Sequence, residues 1–197
     1  AKVATYAQSI RMAGFEPISF SDLDNFEKPR IVEDAPTREE NSLRKSKAVA
    51  KVTRHITIAT DEGFSVDKYT EEWNKIIAME PRRLGTGVRC SDQGVIDWHN
   101  EKLESVGGYS LASFDLALSI VLPNGNGFVQ NFVYPTVLLK REVNFPTIKE
   151  GYPLDSQSKD YRTGKFISEL NNEEYSKCFP MHAMVEFLKE SVKKFQE

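Results

Sequence analysis

The stretch from Ser113 to Val143 constrains the chain most. It reads SFDLALSIVL, then PNGNG, then FVQNFVYPTVLLKREV. Phe114, Leu116, Leu118, Ile120 and Leu122 occupy the even positions, and Ser113, Asp115 and Ser119 fall between them. A two-residue period of this kind marks a strand with one buried face. Pro123-Asn124-Gly125-Asn126-Gly127 supplies residues that tolerate positive φ, so the chain returns as a hairpin. Setting Leu122 opposite Phe128 places Leu118 against Phe132 and Leu116 against Tyr134. The return strand is apolar on both faces: Val129, Val133, Val137 and Leu139 on one, Phe128, Phe132, Tyr134 and Leu138 on the other. Pro135 implies a bend or an edge position in it. A strand apolar on both faces is covered by helices or continued in another subunit.

The segments around the hairpin complete an α+β pattern. Residues 2–13 read as a short helix with Val3, Ala7 and Ile10 on one face, closed by Gly14. Ser21 to Phe26 reads as a capped turn. Glu27 to Lys47 is a charged connector with Pro29 and Pro36. Residues 48–60 admit two readings. As a helix, Arg44, Lys47, Lys51 and Arg54 share a face; as a strand, Ala48, Ala50, Val52, Ile56 and Ile58 alternate with polar residues. The β-branched residues favour the strand. Tyr69, Trp73, Ile76 and Ile77 predict a helix over 66–80, capped by Ser65 or Asp67 and stopped by Pro81. Ile96, His99, Leu103 and Val106 predict another over 92–106, closed by Gly107-Gly108. Residues 144–180 are polar and irregular, and a helix starting near Pro180 carries Met184, Val185, Leu188, Val192 and Phe195. The expected architecture is an antiparallel sheet on the central hairpin, with two or three helices on one face. The expected division is an N-terminal helix and extended arm over 1–47, then an α+β domain over 48–197.

Composition sets outer bounds. A chain of 197 residues, 40% hydrophobic and 28% charged, is long enough for a sizeable core. A net charge of −3 argues against a generally basic nucleic-acid binder. Cys90 and Cys178 make no disulfide framework, so a reducing compartment is expected. The start lacks the apolar run of a signal peptide, and no stretch approaches the ~18 apolar residues of a membrane span. The expected location is the cytoplasm or an assembled particle.

No catalytic constellation stands out. Cys90, His99, Cys178 and His182 match no common zinc spacing, and neither metal nor cofactor is expected. Cys178 before a helix start, with His182 or His99 as base, is a Cys–His pair by residue identity alone. There is no G-x-S-x-G element. Asn124-Gly125-Asn126-Gly127 joins two strands and so lacks a helix N-terminus for phosphate. Arg82, Arg83 and Arg89 around Gly85-Thr86-Gly87 are a candidate anion site, set against a solvated turn. Arg44, Lys45, Lys47, Lys51 and Arg54 follow the acids Glu33, Asp34, Glu39 and Glu40, a pattern suited to pairing with a neighbouring copy. The same cluster can track phosphates, but without nearby aromatics for stacking.

These features point to a structural, self-assembling particle subunit, such as a virion tail-tube, neck or coat component. It would assemble as a homo-oligomer through Val129, Val133, Pro135, Val137 and Leu139 and through Arg44, Lys47 and Lys51 of the arm. The alternative is a small soluble enzyme or ligand-binding protein with a pocket between the sheet and helices 66–80 and 92–106. A third reading is nucleic-acid binding through residues 44–54.

Overall fold

A computed structural model describes residues 2–23, 26, 27 and 29–196; the side chains of residues 2–5, Ser176 and Cys178 lie outside that description. Part of the turn expected over Ser21–Phe26 (Asp24 and Asn25) and the side chain of Val3 are therefore also outside it. The helices are α1 (Lys2–Met12), α2 (Arg38–Thr53), α3 (Glu71–Met79), α4 (Asp92–Ser105), α5 (Asn172–Cys178) and α6 (Met181–Gln196). The strands are β1 (Thr57–Val66), β2 (Tyr109–Val121), β3 (Gly127–Leu139) and β4 (Ser158–Asp160). They form a four-stranded antiparallel sheet in the order β1-β2-β3-β4, so the α+β class is as the pattern predicts.

The hairpin forms where the alternation places it, with a different register. The Leu122 N–H donates to the Asn126 carbonyl at 2.8 Å. The Thr136 hydroxyl donates to the Ala112 carbonyl, and the Phe114 and Tyr134 rings stack. These contacts shift the pairing by two residues from the Leu122–Phe128 alignment. A shift of two keeps every side chain on its face. Gly127 makes the tight return feasible: a Cβ there would lie 2.5 Å from the Val121 side chain and 2.6 Å from the Ile120 carbonyl.

The strand expected over 48–60 is corrected. Residues 48–53 belong to α2, and β1 starts only at Thr57. Thr37 caps α2 by accepting from the Glu40 N–H, an S/T-x-x-E signal inside what reads as a charged, extended arm. Ser42, Ser46, Ala50 and Thr53 are its buried residues. Their spacing of four, four and three is helical, but they are small, so the face shows no large apolar stripe. Arg54 ends the helix in the left-handed region at φ 59°.

The chain divides into two units. The first comprises Ala1–Glu62, Leu116–Phe132 and Pro180–Glu197. Within it, the Ser42 hydroxyl meets Ser119 at 2.8 Å and the Ala59 carbonyl at 3.0 Å, and the Ser119 hydroxyl reaches Ser46 at 2.9 Å. Hydroxyls replace bulky side chains here, so helix and strands approach closely. On α6, Met184, Val185 and Leu188 are buried as the stripe predicts, and Phe132 and Phe128 meet Phe187 and Phe195.

The second unit comprises Gly63–Asp115 and Val133–Phe179. Its core joins Phe64, Val66, Ala112 and Leu138 of the strands to Ile77, Val95 and Leu103 of α3 and α4. Helix α3 starts later than the apolar period suggests. Thr70, rather than Ser65 or Asp67, accepts from the Trp73 N–H as its cap. The Asn74 side chain satisfies both the N–H and the carbonyl of Val66, at 2.9 Å each. The segment expected to be irregular holds β4 and α5, together with 3-10 turns at Pro153–Ser156 and Ile167–Glu169.

Candidate functional site

A group of charges gathers in the first unit, where α2 meets β1. The Lys45 ammonium donates to Asp61 at 2.6 Å and the Thr60 carbonyl at 3.3 Å, and lies 2.7 Å from Glu33. An ammonium has three protons, and this one has three acceptors. The local fold dictates the meeting. Asp61 stands two residues beyond Ala59, on the strand face that receives α2. Lys45 precedes Ser46 on a helix that the serine contacts hold close to that face. The Lys45 and Asp61 side chains are 17% and 13% exposed, whereas Glu33 is 52% exposed. Burial alone lowers the Lys45 pKa, but the hydrogen bonds to Asp61 and Glu33 outweigh it and raise the value. The lysine is therefore firmly cationic.

Further groups line the approach. The Tyr6 hydroxyl donates to Glu62 at 2.9 Å, and Arg38 donates to the Glu62 carbonyl at 3.3 Å. Lys45 also borders a cleft of about 550 Å³, lined by Ile10, Phe15, Ile18, Phe20 and Val49 among others. A half-buried cation between two carboxylates, with one carboxylate open to solvent, offers a charge that can neutralise phosphate and a base that can take a proton from water. Among the described residues, no group of three or more His, Cys, Asp or Glu converges as a metal site.

The residues singled out from sequence are dispersed. Arg44 pairs with Asp34, and Lys47 and Lys51 are exposed. Val133 and Pro135 are exposed, whereas Val129, Val137 and Leu139 are half-buried. Arg82 is occupied by Asp92 and the Gly151 carbonyl, and its guanidinium, helped by the Gly151 N–H, holds the Asp92 carboxyl below the usual range. Arg83 and Arg89 are exposed. His99 is buried against Tyr69, Phe64 and Trp98, with its Nδ1 2.9 Å from the Tyr69 hydroxyl. Burial drives its pKa down to about 3, so it is neutral. The Cys90 thiol sits 3.8 and 3.9 Å from the Val88 and Arg83 carbonyls. His182 is exposed, and the Cys178 side chain lies outside the described residues. The Glu33–Lys45–Asp61 group is absent from the sequence reading because its members lie in three different segments. The available signal was the Thr37-x-x-Glu40 cap followed by Ser42, Ser46 and Ala50, which would have put Lys45 on a helix.

Comparison with known proteins places this architecture. No protein-family model matches the chain. A stretch of 67 residues is 39% identical to a dITP/XTP pyrophosphatase of Nitratidesulfovibrio vulgaris, covering 34% of this chain and 31% of that protein. The chain thus matches under a third of that relative's length. Among solved structures, the Ham1 protein of Staphylococcus aureus is 20% identical with a TM-score of 0.71, over 100% of this chain and 94% of that one. A HAM1 protein from Coxiella burnetii is 18% identical with a TM-score of 0.67, over 97% and 94%. A nucleoside-triphosphatase, or dITP/XTP pyrophosphatase, from Mycobacterium abscessus is 20% identical with a TM-score of 0.60, over 98% and 93%. The fold is similar to that of the Ham1 proteins. These likenesses overturn the expectation of a structural virion subunit and favour its alternative, a small enzyme or ligand-binding protein. Among the described residues, no helix is long and apolar enough to cross a membrane.

Proposed function

We propose that the chain hydrolyses nucleoside triphosphates of the dITP and XTP kind to a monophosphate and pyrophosphate. The carrying observation is Lys45, held 2.6 and 2.7 Å from Asp61 and Glu33. The partial identity to a dITP/XTP pyrophosphatase and the Ham1-like fold support the choice of substrate.

In this reading water attacks the α-phosphorus, one P–O bond forms, and the α–β anhydride bond breaks with pyrophosphate leaving. Asp61 is the group placed to accept the water proton, because it is the more buried of the two carboxylates. Lys45 neutralises the charge that builds on the phosphate oxygens, releasing its contact to the exposed Glu33 as the phosphate arrives. A nucleoside triphosphate carries a divalent cation in solution. Glu33, once released by Lys45, is the hard oxygen donor such an ion takes, and the ion would supply further charge neutralisation. The test is to incubate the protein with dITP or XTP and quantify monophosphate and pyrophosphate for the wild type, Lys45→Met and Asp61→Asn. Loss of product in both variants, with unchanged folding, supports these roles. Wild-type activity in either variant removes that residue from the reaction.

A further inference from the structure

The second unit buries a group of polar side-chain atoms that have no partner among the described residues. Gln157, just after the Pro153–Ser156 turn, is wholly buried, and neither its Oε1 nor its Nε2 is hydrogen-bonded. The same holds for the Ser168 hydroxyl and for Nη1 of Arg141. Unmet polar atoms of this kind are costly, and native folds keep few of them.

The register brings these atoms together. The Leu139 N–H donates to the Gln157 carbonyl at 2.9 Å, and the β3–β4 pairing sets Gln157 opposite Leu139. The Lys140 N–H still donates to the Gly108 carbonyl, so the course of β3 carries on, and Arg141 falls on the face of Leu139. On the other side, Lys159 bridges to Phe166, which sets Ser168 across from Gln157. The Pro153–Ser156 and Ile167–Glu169 turns pack together accordingly. The ring contacts agree. The Arg141 guanidinium lies 5.9 Å from the Phe145 ring, Phe145 meets Phe166 at 4.9 Å, and Lys159 lies 4.8 Å over Phe166. Arg141, Gln157 and Ser168 therefore surround one spot, edged by two aromatic rings.

Charge decides what suits that spot. Arg141 is permanently cationic. Its Nη2 donates to the Pro146 carbonyl and its backbone N–H to Asn100 Oδ1, each at 2.7 Å, but among the described residues it forms no ion pair. The next acid in the register, Asp155, lies 3.9 Å from Lys149 instead. A guanidinium nitrogen withdrawn from water favours an anion beside it. Arg141 Nη1, Gln157 Nε2 and the Ser168 hydroxyl are donors for that anion's oxygens. Gln157 Oε1 only accepts, so the anion must also carry a proton to donate. The enclosure demands a small ligand, and the flanking rings suit a flat one. Bicarbonate combines one negative charge, a planar set of oxygens and a single O–H.

We infer that Arg141, Gln157 and Ser168 form a binding site for a small, planar, protonated oxyanion of the bicarbonate class. The site lies within the second unit and uses no residue of the Lys45 group. Because its atoms are enclosed, entry requires the Phe145–Phe166 contact to open. Isothermal titration calorimetry of the full chain with sodium bicarbonate, at mildly alkaline pH and against sodium chloride of equal ionic strength, tests it. One-to-one binding with a Kd on the order of millimolar is expected. Sodium formate is planar but has no O–H, so it should bind at least about tenfold more weakly. Gln157→Glu sets a carboxylate beside Arg141, and Arg141→Met removes the cation. Each should weaken bicarbonate binding at least about tenfold, with thermal melts confirming a folded chain. The absence of saturable binding up to about 100 mM bicarbonate overturns the inference and leaves water as the partner of these atoms. So does formate binding as tightly as bicarbonate, or a folded Gln157→Glu protein that binds bicarbonate as the wild type does.

Discussion

Arg54 shows how a single backbone angle carries a testable cost. It sits at the end of α2 with φ 59° and ψ 22°, where a Cβ crowds the following carbonyl. Glycine takes that conformation without the crowding. Arg54→Gly should therefore stabilise the protein by about 0.5–1 kcal/mol in urea denaturation, and a loss of stability would contradict the strain. Lys45 is a residue of a different kind. Removing it leaves Asp61 and Glu33 facing each other without their cation. Lys45→Met should lower any pyrophosphate-releasing activity at least about a hundredfold. Neither residue is conspicuous in the sequence. Arg54 reads as one more surface cation. Lys45 reads as part of a basic run until α2 is wound as a helix and its neighbours are seen to come from residues 33 and 61.

At the scale of elements, how legible a segment is follows the size of its buried side chains. Helix α6 and the hairpin bury large apolar residues at regular spacing, and the alternation places both. Helix α4 is similarly clear from Ile96, His99 and Leu103. Helix α2 buries Ser42, Ser46 and Ala50, whose burial no hydrophobic period reveals. The β-branched residues after it pull the reading toward a strand. The connector after residue 144 is harder still, because its strand is three residues long and its turns are held by local backbone bonds. The small face of α2 makes a prediction of its own. Ser46→Leu inserts three carbons where serines meet at 2.9 Å, and overpacking of this kind costs about 1–3 kcal/mol. Ser46→Ala removes the hydroxyl without adding bulk and should cost less. Equal melting temperatures for Ser46→Leu and the wild type would show that helix and strands are not closely packed.

For the whole molecule, two buried titratable groups shape stability against pH in opposite senses. Burial raises the Asp155 pKa to about 6, although Lys149 lowers it in part. The folded state therefore holds this proton more tightly than the unfolded state. The stability it contributes is present below about pH 4 and is lost as pH rises through 6. Burial lowers the His99 pKa to about 3 from 6.5, so its contribution is present above 6.5 and is lost as pH falls toward 3. The two oppose each other between pH 4 and 6. Comparison with Asp155→Asn isolates the carboxyl: the variant should gain on the wild type as pH rises from 4 to 7, by up to about 3 kcal/mol. A difference that stays flat with pH would place Asp155 in water.

The central claim is that α2 and β1 assemble a site for breaking a phosphate anhydride around Lys45. Its most direct test is the release of pyrophosphate from dITP by the wild type and by Lys45→Met. The account predicts stoichiometric dIMP and pyrophosphate from the wild type, with the variant folded and nearly inactive. A wild type that leaves dITP and XTP intact, or a Lys45→Met protein that hydrolyses them at the wild-type rate, would contradict it.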